Sequence, residues 1–175
     1  MESLRGQRLV IFGCGYVGSA LADAALAQGA RVTALTRNPE KAATLRARGV
    51  EVVISDLAAT EWHAYPALAG GAEFVANTVS AAASTPEGYR ASYVEGTRSI
   101  LAWARRARVG TLVYTSSTGV YPQGGGACVD ENGSTEGASP TGRVLVEAEN
   151  LLRAADRAAL GRWFVLRCAG IYGPG

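Results

Sequence analysis

The chain has 175 residues, of which 48% are hydrophobic and 18% charged, and its formal net charge is +2. This length predicts one domain with a substantial buried core, and the small net charge argues against nucleic acid or an anionic membrane as a partner. No apolar run reaches the length of a membrane span, and residues 1–8 lack the apolar stretch of a signal peptide. Three cysteines (Cys14, Cys128 and Cys168) form no C-x-x-C motif. This pattern predicts a reducing compartment, the cytoplasm, and no zinc site.

Apolar strands and helical segments alternate along the whole chain. The predicted strands cover residues 8–13, 31–35, 51–54, 73–77, 110–115 and 162–167. The predicted helices cover residues 16–28, 39–48, 60–69 (weakened by Pro66), 87–107 and 141–160. Residues 121–140 are rich in Gly, Pro, Ser and acidic residues, which is typical of a long loop. The alternation predicts an α/β fold with a doubly wound parallel sheet.

The first strand and first helix are joined by a G-x-G-x-x-G sequence. Gly13 allows a tight turn, Gly15 lets a pyrophosphate approach the backbone, and Gly18 lets helix and strand pack closely. The free N–H groups at the start of the helix favour phosphate binding. We therefore predict a dinucleotide site that includes Tyr16 and Val17 of the same turn. The alternative is a glycine-rich turn with no ligand.

The end of the second strand bears on which dinucleotide is bound. In NAD-binding folds an acidic residue about twenty residues after the glycines holds the ribose 2′-hydroxyl. Here the segment reads Leu-Thr-Arg-Asn, with no acid before Glu40. The guanidinium of Arg37 matches the geometry of a 2′-phosphate, so we predict NADP, with NAD as the alternative. Otherwise Arg37 is a solvated residue that precedes a helix.

Five segments carry a resemblance that covers nearly the whole chain in order. They are Gly13–Gly18, Asp56–Leu57, Val94–Thr97, Tyr114–Tyr121 and Arg167–Gly175. With these segments the chain resembles the short-chain dehydrogenase/reductase superfamily, in particular its extended or atypical members of the NAD-dependent epimerase/dehydratase family. The glycine loop is shorter than the G-x-x-G-x-x-G of extended members, a departure that atypical members share.

The resemblance implies that residues 1–175 form an NAD(P)-binding Rossmann domain with strand order 3-2-1-4-5-6. It implies that Asp56 and Leu57 lie beside the adenine, and that the segment from Thr78 to Ser80 lies along the cofactor. Family members continue past this point with elements that cover the substrate, so we expect a chain truncated before its substrate-binding part, and the small-molecule substrate stays unknown. Family members also form a four-helix dimer interface, which implies a homodimer through helices 87–107 and 141–160.

The chemistry of the family is only partly present. Family enzymes use a Ser or Thr, a Tyr that acts as acid and base, and a Lys one helical turn later, often with an Asn. Ser117 matches the family serine, although it can also be read as a turn residue. Thr141 replaces the Tyr, Leu145 replaces the Lys, and Tyr93 replaces the Asn. The single lysine, Lys41, lies in the second helix near the adenosine half.

Three other side chains are candidates to replace the missing Tyr and Lys. Arg143 stays protonated and cannot act as a general base, although it can bind an anion. We expect Tyr121 to pack under the long loop, and we expect His63 to be an isolated surface histidine. Ser117 with an ordered water can still polarise a carbonyl.

Three functions remain open. The chain is the cofactor domain of an oxidoreductase, a module that binds or senses NADP(H) without turnover, or an interaction scaffold.

Overall fold

A computed structural model describes residues 4–173 of the chain. Its six strands form one sheet in the order β3-β2-β1-β4-β5-β6, and every neighbouring pair is parallel. The predicted fold class and strand order are therefore confirmed. The strands are β1 (Arg8–Phe12), β2 (Arg31–Thr36), β3 (Glu51–Ile54), β4 (Ala72–Asn77), β5 (Val109–Ser117) and β6 (Leu160–Cys168).

Six α-helices connect the strands. Asn38 is the N-cap of the second helix. Its side-chain oxygen accepts a hydrogen bond from the N–H of Lys41 at 2.9 Å. Ser139 caps the last one in the same way through the N–H of Gly142, at 3.0 Å. The helices are α1 (Tyr16–Ala27), α2 (Pro39–Ala47), α3 (Pro66–Ala69), α4 (Pro86–Tyr89), α5 (Gly96–Ala107) and α6 (Pro140–Arg153).

The sheet separates two apolar cores, because successive side chains of a strand point to opposite faces. In β1, Leu9 and Ile11 pack with α1 and α2 on one face, while Val10 and Phe12 pack on the other. The second core is the larger one and includes Trp62, Trp103 and residues of α5 and α6. Phe12 meets both tryptophan rings, with centroid distances of 5.0 and 5.7 Å. The continuous apolar run of β1 is thus explained by burial on both faces.

Three predicted helices differ from the observed ones. The segment 60–69 is divided at Pro66 into a 3-10 helix, Glu61–Ala64, and the short α3. The segment 87–107 is interrupted by a π-helical stretch, Arg90–Glu95, between α4 and α5. Such π segments are frequent at functional sites.

The prediction that the last helix extends to residue 160 is wrong, because α6 ends at Arg153. Asp156 holds a turn beyond it: its carboxylate accepts from the N–H of Ala158, and its carbonyl accepts from Ala159 and Leu160. Leu160 then begins β6, where it pairs with Val109 of β5. The residues from Leu160 onward pair with β5, so they are not available to extend α6. Apolar periodicity does not reveal this strand pairing.

Candidate functional site

The carboxyl ends of the parallel strands form one edge of the sheet, and a cleft of about 650 Å³ opens there. It lies over β1, β2 and β4, at the point where the strand order reverses, which is where ligands bind in open α/β sheets. The cleft brings together seven of the predicted cofactor residues: Gly13, Gly15, Arg37, Asp56, Leu57, Thr78 and Ser80. Tyr16, Val17, Gly18 and Ser117 do not line it.

Two glycines of the loop are required by the protein itself. Gly13 has a φ of +88°, and a Cβ there would lie 2.6 Å from the backbone nitrogen of Val79. A Cβ on Gly18 would overlap the carbonyl oxygen of Gly13. Packing and backbone conformation thus explain glycine at both positions.

Gly15 is different. Its φ of −73° lies outside the left-handed region, and a Cβ built there meets no atom within 4 Å. Gly15 lines the cleft directly before α1 and, having no side chain, places no cap over the start of the helix. The open space beside Gly15 is what a phosphate group bound to this helix start requires.

The segment after β4 holds the glycine loop in place. The backbone N–H of Thr78 donates to the carbonyl of Phe12 at 2.8 Å, and its hydroxyl donates to the carbonyl of Gly13. The hydroxyl of Thr78 is therefore engaged by the protein, whereas Ser80 is exposed at the cleft. The π-helical stretch supports the same segment, because the hydroxyls of Tyr93 and Ser92 accept from the N–H groups of Ala81 and Ala82.

Beyond the ends of β2 and β3, the cleft contains an ion pair that the sequence did not predict. Arg37 Nη1 lies 3.2 Å from Asp56 Oδ2, and their side chains are 62% and 50% exposed. Leu57, which follows Asp56, is buried with 8% exposure and packs into the larger core. Arg37 and Asp56, the two polar residues predicted to contact the adenosine half of the cofactor, are thus neighbours. The ion pair restricts the side-chain conformations of both.

Thr141 and Leu145 stand where the resemblance placed the family's Tyr and Lys. Leu145 is buried with 3% exposure, and the hydroxyl of Thr141 lies 3.2 Å from that of Ser139. Ser117 is half-buried at the end of β5, and its Oγ accepts the N–H of Gly119 at 3.0 Å. Its own O–H is donated to no described residue, so it remains available to a ligand.

Behind Ser117 lies a buried ion pair that sequence reasoning missed. The Glu149 carboxylate has 0% exposure and accepts from Ser116 Oγ at 2.7 Å, from Arg153 at 3.1 Å and twice from Arg167, at 2.8 and 3.1 Å. Burial of the Glu149 carboxyl raises its pKa, but the hydrogen bonds and charges of these partners outweigh burial and hold the pKa below the usual range. The signal in the sequence is a carboxylate on the apolar face of α6, one turn after Leu145.

The same arginine fixes the long loop. Arg167 Nη1 donates to Tyr121 Oη at 2.7 Å, and the guanidinium carbon lies 4.9 Å from the centre of the Tyr121 ring. Tyr121 Oη in turn donates to the carbonyl of Asp130 at 2.8 Å. Tyr121 therefore joins Arg167 to the long loop through hydrogen bonds. The sequence had predicted only that Tyr121 packs under this loop.

The other two candidates have local partners. Arg143 is exposed and donates to the carbonyl of Ala138 at 3.0 Å. His63 is half-buried against Trp62, with ring centroids 4.2 Å apart, and its Nε2 lies 3.0 Å from Ser99 Oγ. Burial is the main cause that lowers the pKa of His63. The prediction of an isolated surface histidine is therefore wrong, because the fold gives His63 a neighbour from α5.

The C-terminal run approaches the glycine loop. A Cβ on Gly173 would overlap the hydroxyl of Tyr16, which is half exposed at the start of α1, while Tyr172 is 94% exposed. The last two residues of the predicted Tyr-Gly-Pro-Gly run, Pro174 and Gly175, lie outside the described residues. Among residues 4–173, no cluster of three metal-ligating side chains occurs and no helix is long and apolar enough to cross a membrane.

Solved structures share this fold. UDP-glucuronic acid 4-epimerase from Bacillus cereus in complex with NAD has a TM-score of 0.77 at 18% identity, over 95% of this chain and 58% of that one. A short-chain dehydrogenase/reductase superfamily protein from Agrobacterium tumefaciens, with bound NAD, has a TM-score of 0.74 at 26% identity, over 91% of this chain and 48% of that one.

A curated relative and a family model match as well. The 4-hydroxy-2-methyl-3-oxo-4-farnesyl-3,4-dihydroquinoline-1-oxide ketoreductase of Stigmatella aurantiaca is 31% identical over 112 residues, which are 64% of this chain and 34% of that protein. The chain thus spans about half the length of the two structures, and the match covers about a third of the curated relative. The model of the NAD-dependent epimerase/dehydratase family matches residues 9–175, and the chain belongs to this family.

Proposed function

We propose that residues 1–175 act as a dinucleotide-binding domain that prefers NADP(H). The observation that carries the proposal is the open space at Gly15, where packing against the described residues does not call for glycine. A pyrophosphate that approaches the first turn of α1 supplies the missing reason. Relatives of this fold that were solved with NAD support a nicotinamide dinucleotide.

The Gly15→Ala variant tests this proposal. Gly15→Ala places a methyl group in the cleft without touching the protein, so we expect the free energy of unfolding to change by less than ~1 kcal/mol. Calorimetric titration with NADPH should nevertheless lose at least ~1.4 kcal/mol of binding free energy, a factor of about ten. Tight NADPH binding by a well-folded Gly15→Ala protein would contradict the proposal.

The preference for NADP(H) rests on Arg37. The second strand ends at Thr36 with no carboxylate for a ribose 2′-hydroxyl, and the Arg37 guanidinium stands in the cleft beside Asp56. We expect Arg37→Met to weaken NADPH binding by about tenfold and NADH binding far less, because a 2′-phosphate loses a charge-assisted partner. Tighter binding of NADH than NADPH by the unmodified protein would establish NAD as the cofactor instead.

The reaction that we propose is reduction of a carbonyl compound, in an oxidoreductase of the epimerase/dehydratase kind. The ketoreductase relative supports this class, and a bound reduced nicotinamide supplies the hydride. Ser117, whose O–H has no described acceptor, donates a hydrogen bond to the carbonyl oxygen. With Thr141 and Leu145 in place of the Tyr and Lys, the proton comes from water, which makes turnover slow.

The second candidate is a module that binds NADP(H) without turnover. It is favoured by Leu145, whose buried position offers no cation to a phenol or a ribose. The two candidates differ in one measurement, the oxidation of NADPH at 340 nm with a panel of ketones. Turnover that Ser117→Ala reduces at least tenfold supports the enzyme, and no turnover despite tight NADPH binding supports the sensing module.

We further propose a homodimer through α5 and α6. A groove of about 310 Å³ between them is lined by apolar residues, among them Leu101 and Leu151, and by Arg98 and Arg105. A second copy would cover this surface. Sedimentation should give a dimer, and Leu101→Glu should give a monomer that still binds NADPH.

The cytoplasm stays our proposed location, supported by three cysteines that are all unpaired. Thiol labelling in fractionated cells checks this assignment.

A further inference from the structure

The π-helical stretch Arg90–Glu95 faces the segment that follows β4. The phenol oxygen of Tyr93 accepts a hydrogen bond from the N–H of Ala81 at 3.2 Å, and the Ser92 hydroxyl accepts one from the N–H of Ala82 at 3.1 Å. Two consecutive side chains of one helical stretch therefore hold two consecutive backbone N–H groups.

The π conformation explains how neighbouring side chains can hold the same segment. In an α-helix successive side chains diverge by about 100° around the axis, so Ser92 and Tyr93 would point in different directions. A π turn contains more residues than an α turn, and successive side chains therefore diverge less. The first residue of the stretch is tied to α6, because Arg90 donates twice to the Glu147 carboxylate, at 2.8 and 2.6 Å.

The segment that Tyr93 holds lies on one particular side of the glycine loop. The strand order places β4 beside β1 on the side opposite to β2 and β3. Val79 lies against the loop, since a Cβ on Gly13 would be 2.6 Å from its backbone nitrogen, and Ser80 and Ala82 continue the wall of the cleft. A dinucleotide with its pyrophosphate at the glycine loop and its adenosine over β2 places its nicotinamide half along this wall.

The ring and the hydroxyl of Tyr93 have separate partners. The ring packs against the larger core and against Tyr89, with centroids 5.2 Å apart, whereas the hydroxyl accepts from Ala81. Core packing explains an aromatic ring at this position but calls for no hydroxyl. A backbone N–H beside a ligand site needs an acceptor within the protein once the ligand displaces water, because an unpaired buried donor is costly. The hydroxyl of Tyr93 supplies that acceptor.

We infer that Tyr93 is a positioning residue, whose hydroxyl fixes residues 80–82 as the wall for the nicotinamide half of the dinucleotide. Tyr93 does not line the cleft itself, so it acts through the backbone of Ala81. This inference rests on the proposed function, because it assigns the support of the same site. It gives a function to the tyrosine that stands where the resemblance places the family's Asn.

The variant Tyr93→Phe keeps the ring and removes only the hydroxyl, so the midpoint of urea unfolding should be nearly unchanged. Calorimetry then compares two probes: NADPH, and 2′,5′-ADP, which contains only the adenosine half. The variant should bind NADPH about fivefold more weakly, the effect of one lost hydrogen bond, and 2′,5′-ADP within about twofold of the unmodified protein. If the unmodified protein binds NADH more tightly, NADH and 5′-ADP replace these probes.

Hydrogen exchange followed by NMR provides a second measurement, which needs no ligand. The N–H of Ala81 should exchange faster in Tyr93→Phe than in the unmodified protein, because its acceptor is lost. Tyr89→Phe is the matched control. It removes a hydroxyl from the ring that packs against Tyr93, and this hydroxyl is not one of the two that hold the segment after β4. Both affinities and the exchange rate of Ala81 should stay unchanged in this control.

Each outcome decides between Tyr93 and the dinucleotide site as a whole. Unchanged NADPH affinity in Tyr93→Phe, an equal loss for both probes, or unchanged exchange at Ala81 overturns the role of Tyr93 while the proposed site stands. If the unmodified protein binds neither NADPH nor NADH, the proposed function fails and the role of Tyr93 fails with it.

Discussion

The buried ion pair between Glu149 and Arg167 allows a stability prediction from the structure. Arg167→Met removes both Arg167 hydrogen bonds to a carboxylate that has 0% exposure. Arg153 remains 3.1 Å away, but its side chain is 45% exposed and its contribution is screened by solvent. Breaking one partner of a buried pair costs about 3–5 kcal/mol, and the remaining Arg153 places this variant near ~3 kcal/mol.

The assay is urea unfolding of the variant beside two controls. Arg48→Met breaks an exposed pair with Asp23 and should cost less than ~1 kcal/mol. The double variant Arg167→Met/Glu149→Met removes the charge as well as its partner. It should therefore be more stable than the sum of the two single variants implies, because no buried carboxylate is left uncompensated.

The Arg167→Met variant should also change the pKa of Glu149. Without Arg167, burial is opposed only by Ser116 and Arg153, so the pKa of Glu149 should rise from its lowered value. Since the folded pKa is depressed in the unmodified protein, the pair contributes stability above about pH 4.3 that is lost as the pH falls through the folded pKa. A cost below ~1 kcal/mol for Arg167→Met, or strict additivity in the double variant, would refute this reasoning.

Three further predictions concern other parts of the fold. The pKa of the Glu73 carboxyl is lowered to about 2, chiefly by the side-chain hydrogen bond from Arg8, so its pKa measured by NMR should rise toward 4.5 in Arg8→Met; in the unmodified protein this contribution to stability is lost as the pH falls from 4.5 to about 2. Gly13→Ala should unfold in less urea than Gly15→Ala, because a Cβ there meets backbone atoms. Tyr121→Phe should speed cleavage by a glutamate-specific protease within residues 121–139, since it releases the hydrogen bond to the loop.

The alternation of strands and helices in the sequence predicted the parallel sheet, and the resemblance to the family implied its order of strands. Apolar runs mark the inner strands β1, β2 and β4 because these strands are largely buried on both faces and read as continuous hydrophobic segments. The glycine loop could also be recognised from the sequence, because a side chain at Gly13 or Gly18 would overlap nearby backbone atoms. The helix start at Asn38 and Pro39 follows from local capping chemistry.

The sequence could not predict contacts between elements that are far apart in the chain. The end of α6 at Arg153 depends on strand pairing between Leu160 and Val109, which are far apart in the chain. The hydrogen bond between His63 and Ser99 depends on how α5 packs against the 3-10 helix. Periodicity reports one element at a time, so it cannot indicate where two elements meet.

The candidate site divides in the same way. Residue types and spacing predicted a dinucleotide loop and a basic residue after β2, and the resemblance to the family implied that Thr141 and Leu145 replace its Tyr and Lys. Only the tertiary structure decided that Arg37 pairs with Asp56, that Lys41 shares their cleft, and that Arg167 joins α6 to the long loop. Charges act through space over a few ångströms, and the distance between two charges in the fold cannot be read from their separation along the chain.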